Sequence, residues 1–516
     1  MQTFGGNEGF AEIPDPDVHC YPAYKTLMTN TTKYNTMFSD FMPLASQKTE
    51  FMVAADVCAY AKAYADNFKL RPKIKLNAHV TKVDKKDKKW HVTYTRDGKE
   101  DTDVVDNVMI ATGAFAYPHD EHIAGIEKFK GQKIHSGQAR NGAPLFGGKQ
   151  VLVIGGAYSA GEMMNMALRN NVAKLYVSAS RRPETKCSWT IGRHVKSIYG
   201  DVRPWDYLMT RENGLTNAED YTTMMGHWCY AFHKTKPDAF LTYPGDAVGI
   251  TCIDIVDEGR KNGTLEFVGP VTGFGANNAV LRDGGSLDNL DLIVLATGYD
   301  QKFPFLDHLW RREEQLECEL YNYVVSPNPA VDGIGFVLMQ PAGFSLLPSG
   351  EMQARWFTHK IVPRAYKDDG TIFSAEERAH MRETIAEKHR QRPPHFRFNY
   401  IDDVPLLIDY LAQDIGVAPP DYKALVESGD PAKIELGVAL AYGPYIGTQY
   451  RILGAHAWPG AADECIALSK RFLGEHFDEY VAKVKQGIWP RSGVLDLSKG
   501  PYDVYSAAQD SALPAV

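Results

Sequence analysis

The feature that most constrains this chain is a stretch within which the hydrophobic period changes twice. Gln150-Val151-Leu152-Val153-Ile154 is a short, continuous apolar run of the kind that buries both faces of a parallel strand. It enters a turn of small residues, Gly155-Gly156-Ala157-Tyr158-Ser159-Ala160-Gly161, and then Met163, Met164, Ala167 and Leu168 recur at helical spacing. Asn170-Asn171 stops that helix, and Lys174 to Ser178 reads as a second strand. Strand, small-residue turn, helix and strand within about 30 residues form the βαβ unit that binds dinucleotides. The turn must let backbone N–H groups at the helix start approach a pyrophosphate, so its side chains must be small. Against the G-x-G-x-x-G template the positions are Gly155, Ala157 and Ala160; only the first keeps glycine, and all three stay small.

The end of the second strand selects the nucleotide. A site for NAD places an acid there for the ribose hydroxyls, whereas the 2′-phosphate of NADP needs cations. Here the chain reads Ser178-Ala179-Ser180-Arg181-Arg182, with no acid before Glu184. Arg181 or Arg182 can fork onto that phosphate, and NADPH is the expected ligand. A second glycine-rich stretch, Gly273-Phe274-Gly275-Ala276-Asn277, lies between two strand-like segments with no helix after it. It is read as a β-connection.

At 516 residues the chain exceeds one compact core and calls for two domains. Val104 to Ala111 reads as an apolar strand running into Thr112-Gly113, and Leu290 to Leu295 runs into Ala296-Thr297-Gly298. Two strands ending in Ala-Thr-Gly on either side of the βαβ unit imply one domain inserted into another. Phe51, Val57, Tyr60, Tyr64 and Phe68 mark an amphipathic helix over 51–70, followed by strands from Lys75 to Thr95 that close on the Arg96-Asp97-Gly98 turn. The basic run Lys82–Lys89 is read as an exposed hairpin turn, since Val80, Val83, Trp90, Val92 and Tyr94 flank it in strand-like pattern. Beyond about residue 360 the pattern is helical and loop-rich, with Pro393-Pro394 and Pro419-Pro420 as breakers. A net charge of −8 disfavours a nucleic-acid partner. No run approaches the ~18 apolar residues of a membrane span, and the start of the chain lacks a secretory pattern. Seven scattered cysteines without a C-x-x-C pair argue against disulfides or structural zinc and for reduced thiols in a cytoplasmic protein.

With these pieces placed, the chain resembles the flavin-containing monooxygenases over nearly its whole length. Tyr24 to Asn30 followed by Phe38-Ser39-Asp40-Phe41 is similar to one family segment, and Phe129, Gly131 and His135 match the F-x-G-x-x-x-H fingerprint. Gly155 to Gly161, with Tyr158-Ser159-Ala160, is similar to the turn of the trimethylamine-monooxygenase branch. Leu295-Ala296-Thr297-Gly298-Tyr299 resembles the A-T-G-Y motif of N-oxygenating members. Pro348, Glu351, Gln353, Arg355 and Trp356 resemble a further segment, as do Gly443-Pro444, Gln449-Tyr450-Arg451 and Gly454. The resemblance implies an α/β fold with two Rossmann-like dinucleotide-binding domains, an NADPH domain (149–299) inserted in an FAD domain (1–148 and 300–516) that ends in a helical region.

It also implies chemistry. NADPH reduces FAD, O₂ adds to give a C4a-hydroperoxyflavin, and a small-molecule soft nucleophile, a tertiary amine or a sulfide, takes the distal oxygen. By motif match Asn30 is the catalytic polar residue facing flavin, nicotinamide and oxygen. Gly155, Ala157, Tyr158, Ser159, Ala160, Arg181 and Arg182 hold the nicotinamide cofactor. Thr112, Gly113, Thr297, Gly298 and Tyr299 are cofactor-binding as well, with Thr297 and Tyr299 shaping the flavin-side linker, and His135 orients the linker of the nicotinamide domain. Two departures matter. The family's first G-x-G-x-x-G has no counterpart here, and the family's G-G-x-W corresponds to Gly5-Gly6-Asn7-Glu8, with Glu8 in place of tryptophan. The chain is therefore expected to start after the FAD cradle, a truncated gene model or fragment being simpler than its rival, a flavin-free NADP-binding relative. The fingerprint's closing aromatic falls at Ala139, which weakens a Baeyer–Villiger reading. Homodimerisation stays open.

Overall fold

The computed structural model describes residues 29, 33–41, 52, 54–119, 123–139, 142–156, 158–178, 259, 262–309, 320–339, 346–390 and 404–489. The first helix, α1 (Ala54–Asn67), turns Tyr60 inward against Met37 and Met52, with Val57 and the Phe38 and Phe41 rings packed around them. Phe51, expected on the same face, lies outside the described residues. Strands β1 (His79–Lys86), β2 (Lys89–Arg96) and β3 (Lys99–Val105) form an antiparallel meander. Both of its connections are two-residue turns: Asp87 and Lys88 have φ of 49° and 64°, and Asp97 and Gly98 have 52° and 72°. Positive φ at both central residues matches the right-handed strand twist, so the lysine-rich run is a hairpin tip.

The single strand expected from Val104 to Ala111 is two. Val104 and Val105 end β3, and after Asp106-Asn107 a separate strand β4 (Val108–Ile110) begins. The break has a physical cause: β3 pairs with β2, whereas the Val108 N–H bonds to the Gly333 carbonyl in another sheet. The chain continues through β5 (Tyr117–Pro118), β6 (Gln132–His135) and the short helix α2 (Gly142–Phe146). The predicted βαβ unit then appears as β7 (Gln150–Ile154), α3 (Tyr158–Arg169) and β8 (Lys174–Ser178). Asn171, with φ 54°, makes the left-handed stop after α3. Next come β9 (Leu265–Val268), the small antiparallel sheet of β10 (Val271–Phe274), β11 (Ala279–Leu281) and β12 (Ser286–Leu287), then β13 (Leu292–Leu295), β14 (Tyr299–Asp300) and β15 (Ile334–Phe336). In the glycine-rich stretch at 273–277, Gly273 and Phe274 thus end β10, and Gly275-Ala276-Asn277 belong to the β10–β11 connection.

One parallel sheet dominates, in the order β6-β13-β7-β8-β9, every pair parallel. Val151, Leu152, Val153, Leu292, Ile293 and Val294 are fully buried within it, as strands covered on both faces must be. Because β6 is its edge strand, this sheet reaches to the N-terminal side of residue 149. A second parallel pair joins β4 to β15, and the antiparallel pair β5–β14 lies between the two sheets in sequence.

The rest is helical: α4 (Leu346–Lys360), α5 (Ala375–Arg390), α6 (Val404–Asp414), α7 (Tyr422–Glu427), α8 (Pro431–Tyr442), α9 (Ala461–Leu473) and α10 (His476–Val484). Asp421 and Asp430 cap α7 and α8 through their side chains, and Pro431 occupies the first turn of α8. From Leu436 to Tyr442 every residue of α8 is buried, which makes it the hub of the C-terminal cluster. Pro419-Pro420 separates α6 from α7, and Pro393-Pro394 lies outside the described residues. Among the described residues no helix is long and apolar enough to cross a membrane, and no cluster of His, Cys, Asp or Glu could hold a metal ion.

Candidate functional site

The small-residue turn after β7 is fixed by backbone proximity. Gly155 has φ +144°, and its N–H donates to the Ser178 carbonyl at 2.9 Å. A Cβ on Gly155 would stand 2.2 Å from the Ala296 carbonyl oxygen. The Ala296 N–H in turn donates to the Ile154 carbonyl at 2.7 Å. The ends of β7 and β13 therefore close on each other through a position only glycine can fill. Ala160, the third template position, is fully buried among Val151, Val153 and Val294 under α3, so its methyl packs helix to sheet. Ser159 is half-buried in the first turn, and Tyr158 opens α3. Ser178 ends β8, its hydroxyl donating to the Gly269 carbonyl at 3.0 Å and accepting the Val271 N–H at 3.2 Å. Ala157, Arg181 and Arg182 lie outside the described residues.

The linker residues converge on one carbonyl. Gly298, with φ +94°, accepts from the His119 N–H and from His135 Nε2, each at 2.9 Å. Since the Gly137 N–H donates to His135 Nδ1 at 3.2 Å, the proton of the neutral ring belongs on Nε2. Burial holds the His135 pKa below its ordinary value, the Gly298 carbonyl opposes that shift, and His119 adds to it. Tyr299 meets the His135 ring edge-on at 4.8 Å between centroids. The Thr297 hydroxyl donates to the His119 carbonyl at 3.2 Å, and His119 Nδ1 lies 2.7 Å from Asp300. Thr297, Gly298, Tyr299 and His135 are thus brought together, whereas Thr112 and Gly113 stand apart and exposed at the end of β4.

A third group joins residues that the sequence marks only by resemblance. Ser39, Glu351 and Arg451, from three segments remote in sequence, form one half-buried ionic cluster around the buried Ser39. The Ser39 N–H donates to Glu351 Oε2 at 2.8 Å, and the Ser39 hydroxyl donates to Glu351 Oε1. Arg451 reaches the Ser39 hydroxyl oxygen at 2.6 Å, Glu351 at 2.9 Å and Asp40 at 3.4 Å. Arg355 approaches from the next turn of α4 and donates to the Tyr450 carbonyl at 3.1 Å. Burial, with Arg451 close by, lowers its pKa to about 10. The legible signal was complementary charge: one acid and one arginine in the α4 motif, one arginine in the late motif and one acid beside Ser39. Asn30 lies outside the described residues. Its neighbour Thr29 is tied to Met52 by two hydrogen bonds, of 2.8 and 3.0 Å.

These residues fit NADPH: one glycine at the closest approach of two strands, small positions after it, and a helix start facing the turn. Beside the parallel β4–β15 pair the Thr112-Gly113 turn is open, and a Cβ on Gly113 would meet no atom within 4 Å. A second βαβ unit with a glycine turn is not among the described residues.

The chain matches the flavin-binding monooxygenase-like family over residues 5–484. It is 30% identical over 478 residues to dimethylaniline monooxygenase 2 (N-oxide-forming) of Cavia porcellus, spanning 87% of this chain and 83% of the relative. It is 29% identical to flavin-containing monooxygenase 2 of Homo sapiens over 475 residues, with the same shares. Its fold is similar to that of S-allyl-L-cysteine S-oxygenase from Allium sativum, with a TM-score of 0.54 at 16% identity, covering 93% of this chain and 89% of the other. It is similar as well to the open crystal structure of cyclohexanone monooxygenase, with a TM-score of 0.54 at 18% identity, covering 77% and 88%. The fold is the α/β architecture of proteins with Rossmann-like FAD and NADPH domains, and the chain belongs to the flavin-binding monooxygenase-like family as a flavin monooxygenase that uses both cofactors.

Proposed function

We propose that this monooxygenase oxygenates soft nucleophiles, a tertiary amine nitrogen or a sulfide sulfur, at the expense of NADPH and O₂. The overall reaction is NADPH + H⁺ + O₂ + substrate giving NADP⁺ + H₂O + the N- or S-oxide. The observation that carries the reading is the close-packed Gly155 turn between β7 and α3, on a sheet joined through β5 and β14 to the segment bearing Thr112 and Gly113. In this reading the unit from Ile123 to Gly298 binds NADPH, and the segments on either side of it bind FAD.

Backbone N–H groups at the start of α3 bind the pyrophosphate. Arg181 and Arg182 take the 2′-phosphate, and their replacement by alanine is expected to reduce the preference for NADPH over NADH by roughly 10- to 100-fold, the worth of one or two charge-assisted hydrogen bonds. Thr297, Gly298, Tyr299 and His135 fix the direction in which the linker leaves the nucleotide sheet. Asn30 presents its amide to nicotinamide and oxygen, and the surrounding protein excludes water. Bound FAD supplies the redox chemistry, accepting hydride and activating O₂ so that one oxygen atom reaches substrate and the other leaves as water. The likeness to dimethylaniline monooxygenases supports an amine over a ketone as substrate class.

The test is a visible spectrum of the purified chain, followed by NADPH oxidation in air with a tertiary amine, a sulfide and a cyclic ketone. Flavin absorption with stoichiometric N- or S-oxide is the expected result. An ester from the ketone would replace this reading with Baeyer–Villiger chemistry. A colourless folded protein that binds NADPH would end it.

A further inference from the structure

We propose that His119 and Asp300 are positioning residues. Their side-chain pair latches together the two linkers between the nicotinamide sheet and the β4–β15 segments. It thereby sets how fast hydride leaves NADPH, and not how tightly NADPH binds. The inference rests on the function proposed above, in which the Gly155 turn holds NADPH and the segments on either side of its unit hold FAD.

The chain crosses twice between two apolar cores. Outbound it leaves Ile110, clustered with Trp90, Leu306 and Phe336, and arrives at Phe129, clustered with Leu152 and Ile293. It returns from β13 to Phe303 and Leu306 in the first core. Each crossing carries a left-handed glycine, Gly113 or Gly298, where the backbone is least restrained. Within 111–119 and 296–302 burial is confined to Ala114, Ala296 and Tyr299, so apolar packing fixes little of either crossing. The ladder between them, Tyr299 with Pro118 and Asp300 with Tyr117, is two residues long.

His119 supplies three further ties to the opposite crossing. Its N–H donates to the Gly298 carbonyl, its own carbonyl accepts the Thr297 hydroxyl, and its ring Nδ1 stands 2.7 Å from Asp300 Oδ1. A carboxylate only accepts, so Nδ1 carries the ring proton. The two side chains are 35% and 32% exposed, so water competes for the pair only in part. Lys302 reaches the other Asp300 oxygen at 3.3 Å from a more exposed position. The latch adjoins the nucleotide turn: Thr297 and Gly298 follow Ala296, whose carbonyl oxygen would stand 2.2 Å from a Cβ on Gly155. The other crossing begins at Thr112-Gly113, so the pair lies between the segments assigned to the two cofactors. Holding NADPH needs the turn alone. Passing hydride needs both cofactors in register, and a misplacement of about 1 Å can cost on the order of 100-fold in rate.

In that step NADPH + H⁺ + FAD gives NADP⁺ + FADH₂: hydride carries both electrons from the nicotinamide, and the proton comes from solvent. His119 and Asp300 neither give nor take a proton or an electron in it. Their part is to keep Thr297 to Asp300 still.

The experiment compares the parent holoenzyme with His119→Ala, His119→Asn, Asp300→Ala, the double alanine variant and Lys302→Met. Three readouts are taken: the rate of flavin reduction by saturating NADPH without oxygen, the Kd for NADPH, and amide hydrogen exchange of the protein before NADPH is added. Either single alanine is expected to slow flavin reduction by about 10- to 100-fold with Kd nearly unchanged. Exchange should quicken at Tyr117, at residue 119 and over Gly298–Asp300, but not in β7 or β8. The double variant should be no slower than the slower single one, because the two side chains act as one pair. His119→Asn, whose amide N–H can replace Nδ1–H, should recover most of the rate, and Lys302→Met should keep it. Faster exchange with an unchanged rate would overturn the proposal, as would a Kd that weakens as much as the rate falls, or an equal slowing in Lys302→Met. If the alanine variants do not fold, His119→Asn against His119→Gln decides the matter. Glutamine puts its N–H where Nε2 stands, so only asparagine should keep the rate, and equal rates would sink the latch. A parent whose flavin NADPH does not reduce would sink the function reading, and the latch with it. A reducible parent with insensitive variants would sink the latch only.

Discussion

Two copies of Ala-Thr-Gly follow two short parallel strands, and they have opposite surroundings. After β4, Ala111, Thr112 and Gly113 are all exposed, and nothing lies within 4 Å of where a Cβ on Gly113 would stand. After β13, Ala296 is buried against the Gly155 turn, the Thr297 hydroxyl holds the His119 carbonyl, and the Gly298 carbonyl takes two donors. Both glycines adopt the left-handed conformation, with φ of +84° and +94°. The tripeptide therefore dictates the same backbone turn in both places, while its neighbours decide whether that turn is a bare shelf or a knot between two sheets.

The severest way to break the packed copy is Gly155→Ala. The new methyl would collide with the Ala296 carbonyl, and alanine would have to hold φ +144°. Backbone strain and overpacking each cost about 1–3 kcal/mol, so a loss of about 3 kcal/mol or more is expected. Chemical denaturation should show that loss, and NADPH titration of whatever folds should show weakened binding. A stability within about 0.5 kcal/mol of the parent would mean that β7 and β13 separate easily and that the knot is slack.

His135→Leu tests the knot from its other side. It removes one of two donors to Gly298 and the acceptor for the Gly137 N–H, at a cost of about 1–3 kcal/mol. The same residue predicts a pH dependence. Burial holds the folded pKa below the ordinary 6.5, so the unfolded chain binds the proton more readily. The contribution is complete above the unfolded pKa and is lost as pH falls through about 6.5 towards the lower folded value. Thermal midpoints across pH 5–8 should fall on the acid side for the parent and flatten there for His135→Leu. Equal slopes in both proteins would assign the acid loss to other groups.

How legible this was differs between the two copies. The nucleotide unit was readable because its signals are local: apolar strands, a glycine where strands converge, and a helix of period 3.6 ending at Asn171. The hairpin turns at Asp87-Lys88 and Asp97-Gly98 were readable for the same reason. The split between β3 and β4 was not, since an apolar run does not say which sheet each half joins. The Ser39–Glu351–Arg451 cluster, whose members lie up to 412 positions apart, was equally out of reach. Motif resemblance named its residues, but only the fold puts Ser39 between α4 and the turn at Gly447–Arg451.

The gentlest test is Gly113→Ala, and it sharpens the comparison most. With no atom near the added methyl, only the left-handed backbone is penalised, at about 1 kcal/mol. Stability should therefore fall by roughly a third of the Gly155→Ala loss or less, and NADPH binding should not change. Flavin content separates two roles for the bare shelf. If Thr112 and Gly113 lie against the flavin, alanine reduces retained flavin by more than so small a loss of stability explains. If the shelf is only a connection, flavin content stays at the parent's level, and the exposed copy is a turn and nothing more.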